Sequence, residues 1–306
     1  MELWEYNGMN EISLRMHQVR SLKELKLPKG IFNTEALMLV LDKKYKTTDG
    51  KRMLFKYLDA QDDEEVMQRK TRVLSYLIQS PYIELEELII PDHRVIVDSK
   101  HAGFAMPLIE KHTNLGKLLN DSKVSFEVKK HYLIELGNLI DRVQRVEATH
   151  KMFFADLNEF NFVIDSNKHL KAIDLDSSYI EGIDITPADM AYYLLKNEYI
   201  ASLPNKYPST KEGIFIPNHN SDLYCYNMII LNALSNERMF KVDIELYYQY
   251  LMYLQQIGVP LELIDTFRAI YEPRNNHNPR VLLEKLPPKI EEKTNIKVFQ
   301  KEYKAN

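Results

Sequence analysis

Five polar residues in this 306-residue chain stand in settings suited to chemistry on a phosphate. Lys56 lies inside the apolar run MLFKYL (53–58), between Phe55 and Tyr57. A lysine in the middle of such a strand is costly to bury unless an anion meets it. Asp156 precedes a short hairpin-like segment, Asn161 follows five residues later, and Asp174 comes thirteen after that, closing the apolar run KAI. An acid, an amide and a second acid at one hairpin mouth can converge on a metal-bound phosphate. A hard divalent cation takes oxygen ligands, so neither histidine nor cysteine is required. Asp176 is the fifth residue. In an extended segment it would face the same side as Asp174, as a second metal ligand or a hydrogen-bonding brace.

Positioning these groups requires a scaffold, and the patterning describes one. LMLVL (37–41) and MLFKYL flank a turn with Asp49-Gly50 at its tip and read as a β-hairpin. From Asp62 to Gln79 the period changes: Val66, Val73, Leu74 and Leu77 share one helical face. Asp62 and Asp63 can cap that helix, and Ser80-Pro81 stops it. HRVIVDS (93–99) and GFAMPLI (103–109) read as a second strand pair. From residue 125 onward the helical period dominates. Leu133, Leu136, Ile140 and Val143 paint one helix; Leu223, Tyr226, Ile230, Leu231 and Leu234 paint another, with Ser221 or Asp222 as its N-cap. Ile244, Tyr248, Leu251 and Leu254 mark a third, closed by Gly258 with Pro260 two residues on. Between the first two lies the strand-like island FNFVIDSNKHLKAIDLD (160–176), turning at Asp165 to Lys168. The expected class is α+β: a small antiparallel sheet carrying one helix, then a mainly α-helical region.

The run from Asp156 to Asn161, DLNEFN, followed by the segment IDLDS around Asp174 and Asp176, resembles the catalytic loop and metal-binding motif of the protein kinase-like superfamily. The spacings from aspartate to asparagine and from asparagine to aspartate both match. Lys56 takes the place of that family's strand-three lysine. GFAMPLIE (103–110) resembles the hinge of bacterial Ser/Thr kinases, with Met106 gatekeeper-like, and SDLYCY from Ser221 resembles the start of the central C-lobe helix. The similarity covers roughly residues 25–285, in order throughout.

The resemblance implies a bilobal fold, with an N-terminal extension (1–24), an N-lobe (25–110), a C-lobe (111–285) and a tail (286–306) that reads as solvated mixed charge or an edge segment. It implies ATP as nucleotide and magnesium as metal, or manganese in its place. Asp156 would accept or orient the proton of the attacking hydroxyl. Asn161, Asp174 and Asp176 would hold the metal, and Lys56 would pair with the α- and β-phosphates. Gly30, Met106 and Leu108 would contact the nucleotide, Glu65 is the candidate partner for Lys56 with Asp62 and Asp63 close behind, and Asp222 would brace the catalytic loop. The implied activity is that of a Ser/Thr protein kinase acting on a protein hydroxyl.

Departures from the family pattern keep two alternatives open. FAD stands before residue 157 where the family has His-Arg-Asp, so the arginine that answers activation-loop phosphorylation is missing. Asp-Leu-Asp replaces Asp-Phe-Gly, and GIFNTEA (30–36) keeps only Gly30 of the glycine-rich loop. Pro187, Asp189, Met190 and Ala191 resemble a segment of the aminoglycoside and choline kinase branch, although Asn158 stands where that branch has histidine. A small-molecule kinase is therefore one alternative. A nucleotide-binding pseudokinase acting as a regulatory module is the other: the eroded glycine loop favours it, and the intact Asp156, Asn161 and Asp174 oppose it.

Composition narrows the partners. Forty basic against forty-four acidic residues give a net charge of −4, which argues against gripping nucleic acid or a membrane surface through bulk charge. One cysteine, Cys225, makes neither an intrachain disulfide nor a thiolate zinc cage, and a reducing compartment follows. The first twenty residues hold no apolar signal region, and no window nears eighteen unbroken apolar residues. A cytoplasmic protein is expected, with a nucleotide and a protein substrate or small-molecule acceptor as partners, and neither nucleic acid nor membrane.

Overall fold

The computed structural model describes residues 8–23, 37–41, 52–58, 64–183, 206, 215–287 and 289–305. Gly30, Asp62, Asp63, Pro187, Asp189, Met190 and Ala191 lie outside them. The chain divides into two compact units. The first comprises residues 1–114, 146–152 and 161–188; the second comprises 115–145, 153–160 and 189–306.

The first unit is built on a five-stranded sheet: β1 (Asn10–Leu14), β2 (Leu37–Val40), β3 (Met53–Tyr57), β4 (His93–Val97) and β5 (Lys100–Pro107), in the order β1-β4-β5-β3-β2. All its pairings are antiparallel except β1 with β4, where Ile12 lies beside Val95. Residues expected to form an extension thus supply an edge strand and, just after it, helix α1 (Met16–Lys23). The signal was present but faint: Ile12 and Leu14 are buried while Glu11 and Ser13 face water, a period of two carried by only two apolar side chains.

All five residues of β3 are buried. Met53, Phe55 and Tyr57 join Ile12, Leu14, Val95 and Val97 in the main core of the sheet. Leu54 points the other way, against Met106, Leu108 and Ile89. By strand alternation Lys56 shares that second face. Gly103 pairs with Tyr57 at φ +142°, and a Cβ there would come 2.0 Å from the Lys56 carbonyl oxygen, so this position tolerates glycine alone.

Helix α2 (Glu64–Gln79) is tied to the rest of the first unit by hydrogen bonds as well as packing. The Tyr76 hydroxyl donates to the His150 carbonyl at 2.8 Å and accepts from its N–H at 2.9 Å. Beyond the helix, the buried Tyr82 hydroxyl accepts from the Met152 N–H at 2.9 Å. A second, three-stranded sheet joins β6 (His112–Asn114), β7 (Phe162–Asp165) and β8 (Leu170–Ala172) in that order.

The second unit is helical: α3 (Leu115–Asn120), α4 (Phe126–Arg145), α5 (His219–Ser235), α6 (Ile244–Gln256), α7 (Leu261–Arg268), α8 (Arg280–Leu283), α9 (Glu291–Thr294) and α10 (Ile296–Ala305). Leu133, Leu136, Ile140 and Val143 of α4 are all buried. Helix α5 is buried on every side through its middle, from Ser221 to Leu231, the mark of a central helix. Its N-cap is Asn218, not Ser221 or Asp222: the Asn218 side chain accepts from the Ser221 N–H at 3.0 Å, and Ser221 Oγ accepts in return at 2.9 Å. PNHNSD (217–222) offers several cap formers in a row, and the earliest that closes a reciprocal box prevails. Asp222 is thereby released for another task.

The C-terminal residues are not a solvated tail. Ile290, Ile296 and Phe299 are buried, the Thr294 hydroxyl donates to the Leu234 carbonyl at 2.7 Å, and the Tyr250 hydroxyl donates to the Thr294 carbonyl. The charged neighbours dilute the apolar average of this segment, although its few large side chains share one face.

Candidate functional site

The hairpin β7–β8 explains the spacing between Asn161 and Asp174. Phe162 pairs with Ala172, and one step outward the Ile173 N–H donates to the Asn161 carbonyl at 2.9 Å. Two strands and a turn therefore return the chain so that Asn161 and Asp174 sit at the same end. The turn is held by Asp165, whose side chain accepts from the Asn167 and His169 N–H groups at 2.9 Å each. Strand β8 is anchored by Ala172, which donates to the Glu87 carbonyl at 2.7 Å and accepts from the Ile89 N–H at 2.9 Å.

Asp174 itself is left-handed, at φ 66° and ψ 35°, and a 3-10 turn over Leu175–Ser177 follows. The segment is not extended, so the expected pleat geometry does not operate. Asp174 and Asp176 reach the same partner because the chain turns sharply between them. Aspartate tolerates the left-handed region better than most residues, and holding it there costs on the order of 1 kcal/mol.

That partner is Lys56. Its Nζ donates to Asp174 Oδ1, and to both oxygens of Asp176 at 2.9 Å each. A second ammonium, Lys70 of α2, donates to Asp176 Oδ2 at 3.0 Å. Lys56 and Lys70 are 3% and 5% exposed, Asp176 is fully buried, and the Asp174 side chain keeps 22% of its surface open. Two cations and two anions make a neutral quartet. Burial alone would lower the Lys56 pKa, but Asp176 and then Asp174 hold it well above the ordinary lysine value. Burial would raise Asp176, but Lys56 and Lys70 hold it below the usual carboxylate range. Asp174 is raised, chiefly by burial, with Asp176 adding to the rise and Lys56 opposing it.

Glu65 does not take part in the quartet. It is exposed in the first turn of α2, and among the described residues the carboxylates on Lys56 are Asp174 and Asp176. Lys70 carries a faint signal in the sequence: it stands three and four residues before Val73 and Leu74, a cation on the apolar face of the helix. Met106 and Leu108 form a small apolar surface with Leu54 and Ile89, and the Leu108 N–H donates to the Arg52 carbonyl at 2.8 Å.

Asp156 belongs to the second unit. The loop leading to it is held by Asp222, whose buried carboxylate accepts from the Phe154 N–H at 3.1 Å and from the Ala155 backbone. Ala155 is left-handed, at φ 57°, and the Asp156 N–H closes back on the Phe154 carbonyl at 2.6 Å. Asn158, a further residue not assigned to the site from sequence, donates to the Asp156 carboxylate at 3.1 Å and accepts from the Phe160 N–H at 2.9 Å. Burial pushes Asp222 up to about 7 even though the two backbone donors oppose it. Cys225, one turn along α5, is buried and its thiol is raised well above the ordinary value, which suits a core residue.

Among the described residues no cluster of three or more His, Cys, Asp or Glu side chains could hold a metal ion by itself. A part-exposed carboxylate, Asp174, with the half-buried Asn161 at the same hairpin end, fits a magnesium ion that takes its remaining ligands from phosphate and water. Both Asp176 oxygens are committed to ammonium groups. No described helix is long and apolar enough to cross a membrane.

No protein-family model matches the chain, and no curated protein matches it in sequence. Among solved structures, that of an apo pseudokinase aligns with 96% of this chain and 98% of its own, at a TM-score of 0.53 and 10% sequence identity. Identity this low speaks for architecture alone, since one fold hosts many functions. A small sheet with its long helix, followed by a helical region, is thus the protein kinase-like fold.

Proposed function

We propose that this protein binds a magnesium–nucleotide, ATP in the first instance, and transfers its γ-phosphate to a hydroxyl group, a protein serine or threonine being the favoured acceptor. The observation that carries this reading is the hairpin end where Asn161 and Asp174 stand together, with Lys56 drawn onto Asp174 from the sheet. When bound, magnesium would neutralise charge on the phosphates. Asp174 and Asn161 would hold it. Lys56 would exchange its bond to Asp174 for phosphate oxygens, a substitution of one anion for another that leaves its buried charge compensated. Asp156, oriented by the Asn158 amide, would take the proton released by the attacking hydroxyl.

The test is intact mass after incubation with ATP and magnesium, beside Asp174→Asn, with thermal melting in parallel. The expected outcome is a mass gain of one or more phosphates in the parent alone, and a magnesium-dependent rise in melting temperature. A thermal shift without mass gain would move the acceptor to another protein or to a small molecule. The segment favouring the small-molecule alternative, Pro187 to Ala191, lies outside the described residues. A second reading, a nucleotide-binding pseudokinase, is favoured by the engagement of Lys56 and Asp176 in internal ion pairs and by the pseudokinase among the similar structures. Nucleotide binding with no transfer to any hydroxyl would support it, and absence of both signals would overturn the proposal.

A further inference from the structure

Lys70 is a buried cation that phosphoryl transfer, as outlined above, does not use. It lies on the buried face of α2, and its ammonium meets Asp176 Oδ2, the same oxygen that Lys56 reaches from β3. The neighbouring Arg69 donates to the Ser178 carbonyl at 3.3 Å, so α2 grips the 174–178 turn at two points. Asp176 is fully buried, and each of its oxygens accepts from an ammonium: Oδ1 from Lys56, Oδ2 from Lys56 and Lys70. A carboxylate so enclosed has no open face for a metal, whereas Asp174 keeps part of its surface open.

We infer that Asp176 and Lys70 are positioning residues, a bridge through which helix α2 sets the place of Lys56. The arrangement reverses the charge order that the family resemblance implies, an acid on the helix for Lys56: here the turn after the hairpin supplies the acid and the helix supplies a second base. The physical advantage lies in the charge balance. With one anion, Asp176 would be overcommitted by two lysines, and with one lysine, Asp174 and Asp176 would repel; the four together are neutral. Lys56 can then leave Asp174 for an incoming phosphate while Asp176 still holds it, and Lys70 keeps Asp176 compensated throughout.

This inference rests on the nucleotide reading for its purpose, but the bridge is testable without nucleotide. The first measurement is a double-mutant cycle on the melting of the nucleotide-free protein, with Lys70→Met, Asp176→Asn and the pair. A bridge requires strong coupling, the second substitution costing far less once the first is made. Additive losses would overturn it. The second measurement is the magnesium–ATP thermal shift of Lys70→Glu and of Lys70→Glu with Asp176→Asn. The single reversal sets two acids together and should abolish the shift. The double variant moves the acid from the turn to the helix and should restore it. Such a rescue is not expected of a residue that only fills space. Equal shifts in parent and single variant would overturn the positioning role, and loss of magnesium dependence in Asp176→Asn, with metal-free nucleotide still bound, would make Asp176 a metal ligand. A parent with strong coupling but no nucleotide shift would defeat the proposed function and leave the bridge standing.

Discussion

Two aspartates, Asp176 in the first unit and Asp222 in the second, are both sealed from solvent, and their carboxyl groups are driven in opposite directions. Asp176 meets two full positive charges, which outweigh the cost of burial and keep it ionised. Asp222 meets backbone N–H dipoles at Phe154 and Ala155, which oppose burial without overcoming it, and it rises to about 7. Depth of burial is nearly the same, at 0% and 1% exposure, so the partner decides the protonation state. The first arrangement holds a compensated charge in place at the turn after the hairpin. The second fixes a loop and needs an acceptor more than a charge, because a neutral carboxyl still offers a carbonyl oxygen.

The sharpest way to break this comparison is Asp176→Ala. Removing the shared anion leaves two buried ammonium groups with Asp174 as the quartet's remaining anion, and the expected loss is about 3–5 kcal/mol in urea unfolding. A loss below ~1 kcal/mol would show that the quartet is not held as described. In the parent, the stability that Asp176 carries is present above the unfolded carboxylate value of about 3.9 and drains away as pH falls below it, because its folded pKa is depressed.

Asp222 has the reverse sign. Its folded pKa is raised to about 7, so its contribution is full below the unfolded value and is lost as pH climbs through the folded one. Asp222→Asn keeps an acceptor and removes the titration. It should flatten the decline in stability between roughly pH 5 and pH 8 by about 3 kcal/mol, read from unfolding curves at both ends. An unchanged decline would assign it to other groups.

Smaller effects test the edges of the two networks. Asn158→Ala removes the amide that meets the Asp156 carboxylate and the Phe160 N–H, and should cost about 1 kcal/mol in unfolding. Should phosphotransfer be detected, the same change should lower kcat more than it raises KM for the nucleotide. Glu65→Gln should alter stability by less than about 0.5 kcal/mol and leave the magnesium–ATP thermal shift in place, since this residue is exposed and the carboxylates on Lys56 are Asp174 and Asp176. A lost shift would return Glu65 to the site.

Much of the architecture was legible in advance because it depends on local period. The helical period of α4 and α5 and the apolar runs of β3 and β5 are short-range properties of the chain. In α6 the buried face is rotated from the expected stripe: Tyr247, Tyr250, Leu251 and Leu254 are buried, while Ile244 and Tyr248 are half-buried. Strand β1 and helices α9 and α10 were less legible, because each carries few apolar residues among charged ones and gains its meaning from a neighbour: Val95 for Ile12, Tyr250 for Phe299. The candidate site divides the same way. Lys56, Asn161 and Asp174 stand out by type and spacing, but Lys70 looks like any helical lysine until the fold places Asp176 against it.

The sequence by itself determined the strongly patterned elements, such as β3, α4 and α5, and the hairpin that returns Asp174 to Asn161, since strand length and turn chemistry are short-range properties. Tertiary structure alone decided the pairing of charges. Which carboxylate meets Lys56 is a competition among anions distant in the chain, settled by the left-handed turn at Asp174 and the approach of α2. Desolvation then makes the winning partner binding, because a buried ammonium that loses its anion has no water to replace it.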